Sequence, residues 1–130
     1  MKVIALIGYA NSGKTATMNE LVKLFPPAIS SNKIQLGDNP DDFFVECSYN
    51  NQIVGIVSVG DDNGSHQMVQ EPILRQYKMR NFDVIVCACR RRGSKSQMLL
   101  DTLFSGIDYV HKTKGASDDK IVASTIFSKI

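Results

Sequence analysis

A glycine-bracketed lysine near the start of the chain carries the clearest chemistry in the sequence. Residues 8 to 15 read Gly8-Tyr9-Ala10-Asn11-Ser12-Gly13-Lys14-Thr15. Gly8 and Gly13 let backbone amides turn toward an anion, Lys14 adds a mobile positive charge for phosphate groups, and the Thr15 hydroxyl is a hard oxygen ligand for Mg²⁺. The apolar run Val3-Ile4-Ala5-Leu6-Ile7 directly precedes this segment and reads as a buried strand. A helix is expected from Gly13 or Lys14 onward, and its N-terminal dipole and unpaired amides attract the same anion. The expected anion contacts therefore run through Gly8, Tyr9, Ala10, Asn11, Ser12, Gly13, Lys14, Thr15 and Ala16.

Two further charged groups follow apolar runs. Asp61 and Asp62 come after Ile53-Val54-Gly55-Ile56-Val57-Ser58-Val59-Gly60, and Arg90, Arg91 and Arg92 come after Val84-Ile85-Val86-Cys87-Ala88-Cys89. In an open α/β sheet ligands sit beyond the carboxyl ends of the strands. Both groups should then lie on the anion's side, with Asp61, and after it Asp62, as the carboxylates placed to approach a metal bound with the anion. Asp83 precedes its strand and should emerge at the opposite edge. Arg90 and Arg91 suit the stabilisation of charge developing on a transferring phosphoryl group. A solvated basic turn, or a patch for an acidic partner or nucleic-acid backbone, is the alternative reading of the same run. Lys112 and Lys114 fall past the last strand on that edge, where they would line the base or ribose end of a pocket. His66 could orient a water, although an incidental exposed histidine explains it as well, and His111 reads as structural.

The elements that must position these groups follow from periodicity. Met18, Leu21, Val22 and Phe25 recur at helical spacing between residues 15 and 25, and Pro26-Pro27 ends that helix. Residues 28 to 42 are rich in Ser, Asn, Gly, Asp and Pro, with Ile34 and Leu36 as anchors, and read as a mostly irregular loop. Phe43, Val45, Cys47 and Tyr49 share one face of a half-exposed strand with Glu46 and Ser48 on the other; Asn50-Asn51 suits a tight turn into the next, more apolar strand. A helix is expected between residues 65 and 80, with Pro72 kinking it or opening its regular part. Ser94 with Gln97 forms a capping box for the helix that Gly106 ends, residues 107 to 111 form a short strand, and Ser117 caps a C-terminal helix with Asp118 and Asp119 in its first turn. Strands alternating with helices imply an α/β fold of three αβα layers. Its sheet should be mainly parallel, of about five strands, with one antiparallel edge strand.

Composition narrows the class. A chain of 130 residues suits a single domain with its own core. With 22% charged residues and a net charge of +2, nucleic acid is not indicated as a partner. No apolar stretch approaches the length of a bilayer span, and a core strand begins at once, so neither membrane nor signal peptide is expected and the cytoplasm is the expected compartment. Three cysteines, an odd count, fit reduced thiols. Cys87 and Cys89 would share one strand face and pack as small hydrophobes rather than as a metal pair.

The phosphate loop, its following helix and the strand ending at Asp61 together resemble the P-loop NTPase superfamily over about residues 1 to 115. The resemblance implies phosphate contacts from Gly8 to Lys14, Mg²⁺ ligation by Thr15, a contact to the metal through water from Asp61, and a nucleoside triphosphate as ligand. The hairpin order and the Asp61-x-x-Gly64 spacing are similar to small GTPases, but no guanine-specifying N-K-x-D is present: the chain reads Arg90-Arg91-Arg92-Gly93-Ser94 after its strand. ATP is the nucleotide expected by elimination. Lys14, Asp61, Arg90 and Arg91 are the residues expected to act in slow hydrolysis. Phosphoryl transfer to an acceptor held by residues 28 to 42 and the basic turn at Arg90 to Arg92, and nucleotide sensing that controls a protein partner, both stay open, as does a homodimer completing the site in trans.

Overall fold

The computed structural model describes residues 1–9, 12–60, 69–113, 115 and 117–130. Its elements run β1 (Lys2–Ile7), α1 (Lys14–Lys23), α2 (Pro27–Ser30), β2 (Ile34–Gln35), β3 (Phe43–Tyr49), β4 (Gln52–Val57), α3 (Gln70–Met79), β5 (Val84–Cys89), α4 (Lys95–Leu103), β6 (Asp108–His111) and α5 (Asp119–Lys129). Among the described residues the six strands form one mixed sheet in the order β2-β3-β4-β5-β1-β6. β4, β5, β1 and β6 are parallel, whereas β3 is antiparallel to both β4 and β2.

Alternation along the central strands builds two cores. Ile4 and Leu6 of β1 face one side with Met18, Leu21 and Val22 of α1 and Val122, Ala123 and Ile126 of α5. Val3, Ala5 and Ile7 face the other side with Leu74 and Tyr77 of α3 and Leu99, Leu100 and Leu103 of α4. Because both faces are covered, β5 is apolar and buried along its whole length, as a central parallel strand must be. Cys87 and Cys89 belong to the second core, where burial pushes the Cys87 thiol well above its ordinary value. No helix among the described residues is long and apolar enough to cross a membrane.

Local signals explain most boundaries. Asn50 and Asn51 take φ of 51° and 61°, the paired left-handed geometry of the hairpin turn expected there. Pro72 sits in the first turn of α3, where an amide has no partner inside the helix to lose; residues 65 to 68 of the expected helix lie outside the described residues. Ser94 Oγ accepts from Gln97 N–H at 3.2 Å, while Gln97 Oε1 accepts from Gly93 N–H at 3.0 Å, one residue earlier than in a capping box.

Three expectations need correction. Residues 28 to 42 are mostly irregular, as expected, but the short β2 forms within them, so the sheet has six strands rather than about five. The antiparallel β3 is consequently an inner strand, covered by β2 at the edge. A two-residue strand whose side chains are both exposed carries no period to read; buried Leu36, whose N–H reaches Asp42 O at 2.9 Å, holds the pairing. Ser117 does not cap the last helix. That helix starts at Asp119 with Asp118 in the cap position, and the Asp118 carboxylate is bound instead by Lys112 and Thr113.

Candidate functional site

The glycine loop leaves the carboxyl end of β1, between β5 and β6, and turns into α1. Gly13 makes that turn at φ +94°, ψ 21°, a region other residues enter only with strain. A side chain there would also come within 3.2 Å of Asp119 Oδ1. The Lys14 ammonium folds back over the loop and donates to Gly8 O at 3.0 Å and Tyr9 O at 2.8 Å. Thr17 N–H bonds Gly13 O, closing the first helical turn. The amides ahead of it have no acceptor within the helix.

A cavity of about 380 Å³ opens over this turn, lined by Gly13, Lys14, Thr15, Ala16, Asn39, Asp42, Ser58 and Gly60. Its donor set fits a phosphate group: a helix N-terminus, an ammonium and a hydroxyl converge on one space. Ser12 Oγ, buried in the loop, has no hydrogen-bond partner among the described residues. Thr15 Oγ1 donates to Asp42 Oδ1 at 3.0 Å, so a carboxylate and a hydroxyl, both hard oxygen ligands, stand side by side at the cavity wall. No group of three or more His, Cys, Asp or Glu side chains placed to hold a metal ion occurs among the described residues. Mg²⁺ bound with a nucleotide uses only one or two carboxylates besides phosphate and water, so this smaller oxygen set suits it.

The acidic site expected at the end of β4 is reached indirectly. β5 stands between β1 and β4, so the chain leaving β4 must cross the end of β5 to approach the loop. Gly60 makes that crossing: a Cβ there would lie 2.4 Å from the Ala88 carbonyl. Gly60 thereby lines the cavity with Thr15. Asp61, Asp62 and His66 lie outside the described residues, as do Ala10, Asn11 and Lys114. Asp83 is at the opposite edge, where its carboxylate accepts from Ile53 N–H at 2.8 Å.

The arginines follow β5 beside the loop, with Gly8 N–H bonded to Cys89 O at 3.2 Å. Arg90 N–H donates to Ser96 Oγ at 2.9 Å, Arg91 is exposed, and the Arg92 guanidinium lies 4.6 Å from the centre of the Tyr109 ring. Tyr109 is engaged in turn by Gln97 and Asp101, and burial pushes its hydroxyl up to about 12. None of the three arginines is among the residues lining the cavity.

Lys112 does not line a base pocket with a free ammonium. Its side chain is fully buried behind Gly13 and pairs with Asp118 and with Asp119, the latter at 3.0 Å. Burial disfavours the Lys112 charge, but the two carboxylates outweigh it and hold the ammonium above its ordinary value. Asp119 Oδ1 also accepts from Thr17 Oγ1 at 3.1 Å, which ties α5 to α1 immediately under the loop.

Asp42, Asn39 and Ser58 are cavity residues that sequence reasoning did not single out. A signal existed. The hairpin was legible, and an antiparallel strand enters the sheet at the edge where its parallel neighbours end, so the residue just before β3 has to face the loop. Ser58 confirms that register, exchanging two hydrogen bonds with Phe43 at 2.8 and 2.9 Å. No family model, curated protein or solved structure matches this chain.

Proposed function

We propose that this protein binds a nucleoside triphosphate with Mg²⁺ at the loop between β1 and α1 and hydrolyses it slowly. The observation that carries the reading is the cavity over Gly13 to Ala16, where an ammonium, a helix N-terminus and a hydroxyl converge. On this reading the loop belongs to the P-loop NTPase class. Lys14 exchanges its carbonyl partners for phosphate oxygens, a charge-assisted contact stronger than the ones it replaces. Thr15 holds Mg²⁺ directly and Asp61, the next residue in the chain after Gly60, holds it through water; the cation neutralises charge on the outer phosphates. ATP is the proposed nucleotide, since no N-K-x-D specifies guanine. Arg90 and Arg91, which follow the strand beside the loop, are the proposed source of positive charge for the reaction.

The contacts between α1 and the segment before β3 also support a sensing role. Asn19 Nδ2 donates to Asp41 O at 3.1 Å and Lys33 Nζ donates to Asn19 Oδ1 at 2.9 Å, so a ligand at Thr15 acts on a segment already strapped to the helix. Calorimetric titration of the purified chain with ATP and Mg²⁺ tests the proposal. Saturable binding is expected, weakened at least about tenfold by Lys14→Ala through loss of the charged contact. Absence of binding, or equal binding by the variant, overturns it; phosphate release over hours then separates hydrolysis from sensing.

A further inference from the structure

We infer that Asp42 is a direct ligand of the divalent cation that accompanies the nucleotide, paired with Thr15, so that the segment before β3 closes one side of the metal site. The inference rests on the nucleotide reading above and adds to it a carboxylate supplied by the segment that leads into β3.

Geometry carries it. Thr15 Oγ1 and Asp42 Oδ1 are 3.0 Å apart. Neighbouring ligands of an octahedral Mg²⁺ with metal–oxygen distances of about 2.1 Å are separated by about 3.0 Å, the length of that edge of the octahedron. Thr15 can therefore keep its proton, turn it away from Asp42, and share one cation between its hydroxyl oxygen and the carboxylate with no movement of the backbone. Asp42 is also held for the purpose. Its N–H bonds Asn39 O at 3.1 Å, its carbonyl accepts from Leu36 N–H at 2.9 Å, and the next residue is clamped to Ser58. Both partners are half-buried at a cavity wall, which leaves room for phosphate oxygens and water to complete the coordination shell.

The chemistry is selective as well. A carboxylate 3.0 Å from the helix's first hydroxyl would repel the outer phosphates of a nucleotide that arrived without a cation. With a cation between them the same carboxylate attracts. Asp42 thus makes binding depend on the metal, and the hydrogen bonds of Asn19 to Asp41 O and of Lys33 to Asn19 carry that dependence into the segment between α2 and β3.

The test compares the wild type with Asp42→Asn, which keeps the side chain's size and removes its charge. ATP affinity is measured in EDTA, and Mn²⁺ affinity of the ATP-bound protein is measured by electron paramagnetic resonance. The expected result is ATP affinity in EDTA that is equal or higher in the variant, with Mn²⁺ affinity at least about tenfold weaker. A second variant, Asp42→Cys, replaces a hard ligand by a soft one and should shift the preference from Mn²⁺ toward Cd²⁺. This shift is a readout that a merely structural Asp42 would not produce, and it decides the matter even where Asp42→Asn fails to fold. Unchanged or tighter Mn²⁺ binding by Asp42→Asn, or an unchanged Mn²⁺ to Cd²⁺ preference in Asp42→Cys, overturns the inference while leaving nucleotide binding intact. A wild type that binds no ATP with or without metal overturns the nucleotide reading and this inference together.

Discussion

The two sides of the glycine loop are built on opposite principles. Behind Gly13, Lys112 is buried and ion-paired, and Asp119 fastens α5 to Thr17 of α1. In front, Thr15 meets Asp42 at the wall of an open cavity through a half-exposed hydrogen bond. The rear is charged yet closed, so its groups must satisfy one another; the front is polar and open, so its groups can exchange partners. A loop that must hold its shape while accepting an anion needs both. Burying charge where nothing binds fixes the backbone, and leaving polar groups half-solvated where something binds keeps the replacement of partners inexpensive.

Breaking the rear should have the largest effect. Lys112→Met leaves the Asp119 carboxylate buried with only the Thr17 hydroxyl among its described partners, and about 3–5 kcal/mol of stability should be lost in urea unfolding. A loss under about 1 kcal/mol would show that the ion pair does not anchor the loop. Gly60→Ala attacks the front. Its Cβ would stand 2.4 Å from the Ala88 backbone, so the chain must lift off the end of β5. Overpacking of this kind is expected to lower stability by about 1–3 kcal/mol, read from a thermal melt, and to open the cavity wall beside Thr15. A variant as stable as the wild type would mean that the crossing is not tight.

The smallest effect is one of slope rather than size. Hydrogen bonds from Lys112 and then Thr113 hold the Asp118 carboxyl at about 2, below an ordinary value of about 3.9. A carboxyl held low in the folded state contributes stability that is complete above its ordinary value and disappears as the pH falls through the folded one. The wild type should therefore lose stability between about pH 4 and pH 2, and Asp118→Asn should lose less over that interval. Unfolding midpoints measured across it check this, and parallel curves would detach Asp118 from the rear anchor.

Much of the fold was legible because it is written locally. The strand before Gly8, the paired asparagines at the hairpin, Pro72 at the start of α3 and the Ser94 cap all act within a few residues of themselves. β2 was not legible, since two exposed residues have no periodicity and only the pairing with β3 makes them a strand. The cap at Ser117 was misread because Asp118 and Asp119 answer to Lys112 and Thr17 rather than to their own helix.

The site divides the same way. The sequence by itself determined that a glycine loop with Lys14 and Thr15 joins a buried strand to a helix, because the apolar run before the loop and the helical spacing after it are both local patterns. Only the tertiary structure decided which groups meet the loop. Asp42 reaches Thr15 across 27 positions and Asp119 reaches Thr17 across 102. Partners that distant are chosen by strand order and by the direction in which β3 enters the sheet. Those choices depend on the packing of the whole core, and no local pattern records them.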